Sequence, residues 1–162
     1  MPTPIPIPEA TVLFLLRQGF VIVSTIDENG TPHASCKGIV EIDKNGHVYL
    51  LDLYKARTSQ NLRQNPNISL TAVDEHKFRG CCLKGKATIA ENKKLKSSVK
   101  KAWDERITSR ITQRILRNIK GEKGHKAHPE IFLPEPEYLI DVEVYEIVDL
   151  TPHRLSTAVA QA

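Results

Sequence analysis

Hydrophobic positions in this chain change period several times, and each change marks an element. Residues 1–8 carry a proline at every second position from Pro2. Proline can neither continue a helix nor donate to a strand ladder, so an extended arm is predicted there. From Glu9 to Gln18, Val12, Leu13, Leu15 and Leu16 follow helical spacing and Gly19 supplies the stop. Phe20 to Ile26 is rich in β-branched residues and ends at Asp27-Glu-Asn-Gly30, where Asn and Gly accept the positive φ of a tight turn. A second strand is predicted from Thr31 to Ile42. Asp43-Lys-Asn-Gly46 repeats the turn chemistry, and His47 to Leu53 reads as a third strand. Thr58 to Gln64 fits one short helix with Thr58 as its N-cap or first residue, closed by Asn65-Pro66.

Strand periodicity returns at Ile68 to Val73 and at Arg79 to Ala90, where Gly80 and Gly85 mark bends or close approaches. Between Asn92 and Lys120 the period becomes four, with Leu95, Val99, Trp103, Ile107, Ile111, Ile115 and Ile119 in register, which predicts helix with a break near Asp104. The stretch from Gly121 to Pro136 is too rich in Gly and Pro to be regular. Tyr138 to Asp149 alternates Ile140, Val142 and Val144 with Asp141 and Glu143, a sixth strand. Three strands joined by tight turns form an antiparallel meander. The whole reads as one α+β, mainly β domain over residues 1–162, with a barrel or open antiparallel sheet.

Length and composition agree: 162 residues with 40% hydrophobic content can bury a core without staples. No apolar run approaches bilayer length, and the N-terminus lacks a basic region and cleavage site, so a cytoplasmic protein is expected. Cys36, Cys81 and Cys82 are odd in number and lack redox or metal spacing, which predicts reduced thiols. The net charge of +4 is uneven. Asn92 to Lys120 holds ten Lys or Arg against Asp104 and Glu105, a local +8 that leaves the rest of the chain at −4. That segment could bind nucleic acid, could draw an anionic substrate to a site, or could be the solvated face of a helix whose apolar stripe packs on the sheet. Scarcity of aromatic residues other than Trp103 favours the solvated face over nucleic acid. Trp103 itself reads as a core anchor. His125 and His128 lack a third ligand, so no metal site is expected. His33 is the histidine nearest the candidate site.

Candidate chemistry concentrates in Leu50-Leu-Asp-Leu-Tyr-Lys-Ala-Arg-Thr-Ser-Gln-Asn-Leu62, an apolar strand that runs into a basic turn and a helix start. Free amides and the positive dipole end of that helix, with Lys55, Arg57 and the Thr58 hydroxyl, would hold a phosphate. A plain N-capped surface helix fits the same spacing. Neither a Ser-His-Asp set, paired carboxylates nor a Walker loop occurs in its required context.

The order of these segments is similar to a known family. Pro32-His-Ala-Ser-Cys-Lys-Gly-Ile-Val40, the Asp-Lys-Asn-Gly turn, the strand ending Leu51-Asp-Leu-Tyr54 and Arg57-Thr-Ser-Gln-Asn-Leu-Arg-Gln-Asn-Pro66 together resemble the pyridoxamine 5'-phosphate oxidase-like family. The likeness extends to Phe78-Arg-Gly80, Leu83-Lys-Gly-Lys-Ala87 and Val142 to Pro152, most of the chain. It implies a six-stranded antiparallel split barrel with flanking helices, the 92–120 stretch being a basic helical insertion. It also implies a homodimer with FMN in a groove between subunits. By the same resemblance, Arg57 and Thr58 would hold the FMN phosphate, and Asn61 would brace the turn. Ser35, Cys36 and Lys37 would line the isoalloxazine, with Asp52, Leu53 and Tyr54 at the third-strand end. Lys37 or a neighbouring amide at the N1/C2 edge would stabilise the reduced flavin. True pyridoxamine 5'-phosphate oxidases add a C-terminal segment with Arg and Trp contacts to the vitamin. Here the end runs from Thr151 to Ala162 without it, so the resemblance is to the wider family. The implied function is FMN-dependent redox chemistry with a nicotinamide-type donor. The alternatives are an FMN carrier without turnover, a haem or deazaflavin protein, and a nucleic-acid-binding module.

Overall fold

A computed structural model describes residues 3–54, 56–91, 97–122, 129–133 and 138–153. Its elements are α1 (Glu9–Arg17), β1 (Val21–Ile26), β2 (Pro32–Ile42), β3 (His47–Asp52), α2 (Arg57–Gln64), β4 (Asn67–Asp74), β5 (Arg79–Glu91), α3 (Ser97–Ile119) and β6 (Tyr138–Asp149). The six strands close into a barrel in the order β1-β2-β3-β6-β5-β4, and every neighbouring pair is antiparallel. The last strand is therefore inserted between the third and the fifth.

Both predicted turns form, with the glycine and not the asparagine taking the positive φ. Asp27 Oδ1 accepts from the Asn29 and Thr31 amides at 2.9 and 2.8 Å, and Gly30 takes φ +77°. Asp43 Oδ1 accepts from Asn45 and His47 at 2.8 and 3.0 Å, and Gly46 takes φ +90°. Gly46 also lies against the arm, where a Cβ would overlap the Ile5 carbonyl. The arm is not loose at that point: the Ile5 amide donates to the Val144 carbonyl at 2.8 Å, and Ile7 is buried. Gly85 sits at a bulge in the β5–β6 ladder, where a Cβ would overlap the Glu143 carbonyl oxygen.

Alternate residues fill the interior: Val21 and Val23, Val48 and Leu50, Leu70 and Ala72, then Ile140, Val142 and Val144. Each of the Val, Leu and Ile side chains, fully buried, contributes about 1.5–3 kcal/mol. Phe14 and Leu15 of α1 join this core where β1 begins, and Leu62 of α2 joins it where β1 ends.

Helix α3 is one continuous run of 23 residues, about 35 Å long. The expected break near Asp104 does not occur, because Asp104 and Glu105 face solvent and Lys101 pairs with Glu105 one turn on at 3.8 Å. Residues 92–96, with Lys93, Lys94, Lys96 and Leu95, lie outside the described residues. Val99 and Trp103 pack on the outer face of the barrel over Leu51 and Leu139, so the tryptophan anchors as read. The stripe outruns the barrel, however: Ile115, Leu116 and Ile119 are exposed. Pro129–Phe132 forms a short 3-10 turn inside the stretch expected to be irregular, while His125 and His128 fall outside the described residues. Among the described residues, no helix is long and apolar enough to cross a membrane.

Candidate functional site

Helix α2 sits over the barrel end formed by the last residues of β1 and β3 and the first of β2 and β6. Thr25, Asp52, Thr58, Ser59 and Asn61 are the buried polar residues described in the chain, and all five lie at this end. Polar groups taken out of water need partners, and this layer supplies them. Asn61 Nδ2 donates to Thr25 Oγ1 at 3.0 Å, tying α2 to β1. The Ser35 and Thr58 hydroxyls share a hydrogen bond of 3.1 Å, tying α2 to β2.

A second group joins the three strand ends. Lys37 Nζ is 2.7 Å from Asp52 Oδ2, with only 9% and 5% of the two side chains exposed. Tyr138 donates its hydroxyl to the same Oδ2 at 2.5 Å, with Ser59 against the same phenol. Burial first, and the Asp52 carboxylate second, push the Tyr138 hydroxyl well above the usual tyrosine range, so it remains a donor. The other carboxylate oxygen, Oδ1, accepts from the Tyr54 amide at 3.3 Å, and Tyr138 also reaches the Tyr54 carbonyl at 3.4 Å. One carboxylate thus holds β2, β6 and the turn leading into α2.

The start of α2 differs from its predicted form. Arg57 is its first residue and Ala56 its N-cap, so Thr58 lies within the first turn with its hydroxyl directed at Ser35. Among the described residues no side chain caps the helix, and its first turn contains no acid. Its leading amides and the exposed Arg57 side chain are donors suited to an anion, which is the chemistry a flavin phosphate requires. Lys55 lies outside the described residues.

The structure divides the other candidates by face. Ser35 and Lys37 point into the barrel end, opposite Val23 and Val21, whereas Cys36 is exposed on the outside opposite Ile22. Asp52 is buried, Leu53 half-buried and Tyr54 exposed. His33, opposite Thr25, is half-buried. Lys37, expected with its neighbouring amides at the flavin edge, already has the Asp52 carboxylate as its partner. Sequence reasoning missed Thr25, Ser59 and Tyr138. Thr25 shares the inward phase of Val21 and Val23 on β1, a signal available in the chain. Tyr138 is 86 residues from Asp52, and no local pattern joins them.

Helix α3 uses part of its charge internally. Arg106 donates to the Ile39 carbonyl at 2.5 Å and to the Gln18 and Gly19 carbonyls at 3.1 Å, lying across Gly38. Burial first, then the Arg110 charge, pull Arg106 below the usual arginine range. Among the described residues, its Nε is buried without a partner. Arg117 pairs with Glu122 at 4.0 Å. Burial also pushes the Cys81 thiol up to about 11, so that cysteine is a thiol at neutral pH; Cys36 and Cys82 are likewise unbonded. Among the described residues, no group of three or more His, Cys, Asp or Glu could hold a metal. A groove of about 310 Å³ runs outside β1, β4 and β5 past Ile26, Pro32, Ser69 and Lys84. None of the residues expected to hold the flavin lines it.

Comparison with known proteins bears on this arrangement. Residues 7–133 match the family described as pyridoxamine 5'-phosphate oxidase. Among solved structures, the conserved hypothetical protein Rv2991 of Mycobacterium tuberculosis is 20% identical, with 94% of this chain and 90% of that one covered and a TM-score of 0.61. HupZ of Group A Streptococcus is 16% identical, over 90% of this chain and 95% of its own, with a TM-score of 0.59. A pyridoxinephosphate oxidase family protein related to general stress protein 26, from Clostridium acetobutylicum, is 17% identical over 90% and 94%, with a TM-score of 0.54. At such identities the structural likeness establishes the shared split-barrel fold. No curated protein matches the sequence.

Proposed function

This chain belongs to the pyridoxamine 5'-phosphate oxidase-like split-barrel family, which commonly binds flavin, and from that premise we propose that it is an FMN-binding flavoprotein working as a homodimer. In this reading it passes hydride or electrons from a nicotinamide-type donor to a second small molecule. The observation that carries the reading is the start of α2, an uncapped, acid-free helix N-terminus with Arg57 exposed beside it and a hydrogen-bonded polar layer beneath. The leading amides and Arg57 would bind the phosphate. Thr58 and Asn61 would act from below, holding the helix in place through Ser35 and Thr25. Strand β2 at Ser35, Cys36 and Lys37 would lie along the ring, and a second copy would supply the other wall of the groove. Bound FMN would contribute two-electron chemistry; the chain would orient it and shield it from water.

The test is the visible spectrum of the purified protein, before and after FMN is added, compared with Arg57→Ala. A flavin spectrum is expected. Loss of one charged hydrogen-bond donor, worth about 1.5–3 kcal/mol, should weaken FMN binding by roughly tenfold or more with the fold intact. Thr58 is left alone in this test, since Thr58→Ala would also remove the Ser35 bond. A wild-type protein that takes up no FMN ends this reading. Steady-state oxidation of NADH by the loaded protein distinguishes an oxidoreductase from an electron carrier.

A further inference from the structure

We propose, resting on the flavin reading above, that Asp52 sets the reduction potential of the bound flavin by neutralising Lys37. Lys37 is the cationic side chain on the β2 segment assigned to the ring, and its charge is already engaged at 2.7 Å. The partner cannot easily swing away. Asp52 is held at one oxygen by Lys37 and Tyr138 and at the other by the Tyr54 amide, and it is buried. A buried ion pair is a weak source of stability, because desolvation offsets most of the attraction. What the pair does provide is a fixed local charge of zero at a place where a lone ammonium would act over low-dielectric space.

The charge matters because reduction changes the charge of the flavin. Two electrons and one proton, delivered to N5, convert the oxidised ring into a reduced ring carrying one additional negative charge at its N1–C2 edge. A cation nearby favours that product and raises the potential, an anion lowers it, and a neutral pair does neither. Asp52→Asn keeps the shape and, with its oxygen toward Tyr138, that acceptor, gives up the Tyr54 amide's, and leaves Lys37 as the local charge. Lys37→Met leaves the carboxylate instead. The double variant is again neutral.

The experiment is a dye-referenced reductive titration of FMN-loaded protein, with dithionite supplying the electrons, on wild type, D52N, K37M and K37M/D52N. The dissociation constant of oxidised FMN is measured alongside. D52N should bind reduced FMN at least tenfold more tightly relative to oxidised FMN than wild type does, about 30 mV for a two-electron couple. K37M should shift the opposite way, and the double variant should return close to wild type. A merely structural role would weaken both flavin states alike and leave the potential in place. An unmoved or lowered potential in D52N overturns the proposal. If D52N does not fold, a K37M potential below that of the double variant supports it and equality overturns it. Wild type without FMN would instead overturn the underlying flavin reading, and this proposal with it.

Discussion

Asn61 shows how the proposed binding turn is held by groups that need not touch a ligand. Its carboxamide is buried and donates to Thr25, fastening α2 across the barrel end. Asn61→Leu removes the donor and leaves the Thr25 hydroxyl buried without it, a loss of about 1–3 kcal/mol. The expected result is a lower denaturation midpoint with an unchanged m-value. A midpoint equal to wild type would mean that water replaces the bond. The spacing of Arg57, Thr58 and Asn61 was legible in the chain, as was the basic turn before them. The direction of each side chain was not, because direction depends on partners far away in sequence: Thr58 turns inward to meet Ser35, 23 residues earlier, and Asp52 is claimed by both Lys37 and Tyr138.

Among the elements, the seam between β3 and β6 carries a pH-sensitive contact. His47 Nδ1 lies 2.8 Å from Asp141 Oδ1, and its ring stacks on Tyr49 with centroids 6.2 Å apart. The hydrogen bond to Asp141 is the main reason the His47 pKa lies above its ordinary 6.5, with the Asp43 and Glu143 charges adding to it. A pKa raised in the folded state means that folding binds protons here. The stabilisation is therefore complete below about pH 6.5 and is lost as pH rises through the raised folded value. Melting temperature measured against pH for wild type and His47→Gln should show a gap at pH 5 to 6 that closes above neutrality. A gap independent of pH would assign the contact to packing alone. Local chemistry made the elements themselves readable: Asp and Gly at fixed offsets specified both early turns, and period-two burial specified the strands. The extent of α3 was harder, because an unbroken four-residue stripe looks the same whether or not a surface lies beneath it. Only closure of the barrel decides that Val99 and Trp103 find one and Ile119 does not.

At the scale of the molecule, α3 covers one arc of the barrel, and among the described residues another is left exposed. Ile22 pairs with Cys36 on one side and Thr71 on the other, and Phe20, Ile22 and Val73 are all exposed on this arc. This is the face on which the proposed homodimer would form. Sedimentation should give roughly twice the 18.2 kDa chain mass for wild type and the monomer mass for Ile22→Lys, with FMN lost from the monomer if the groove lies between copies. A wild-type monomer that still holds FMN would place the whole flavin site within one chain.

The strand order has a consequence for synthesis. Because β6 belongs between β3 and β5, the chain emerges with five strands made and the gap that the sixth must fill still open. Two unpaired edges face that gap, one of them on the 13-residue β5, and they stay available to neighbouring chains while α3 and the residues after it are translated. Arrival of β6 closes both seams together and gives the Ile5 amide its acceptor at Val144. The barrel thus becomes a barrel in one late step, and the nascent chain is most vulnerable to misassociation just before it.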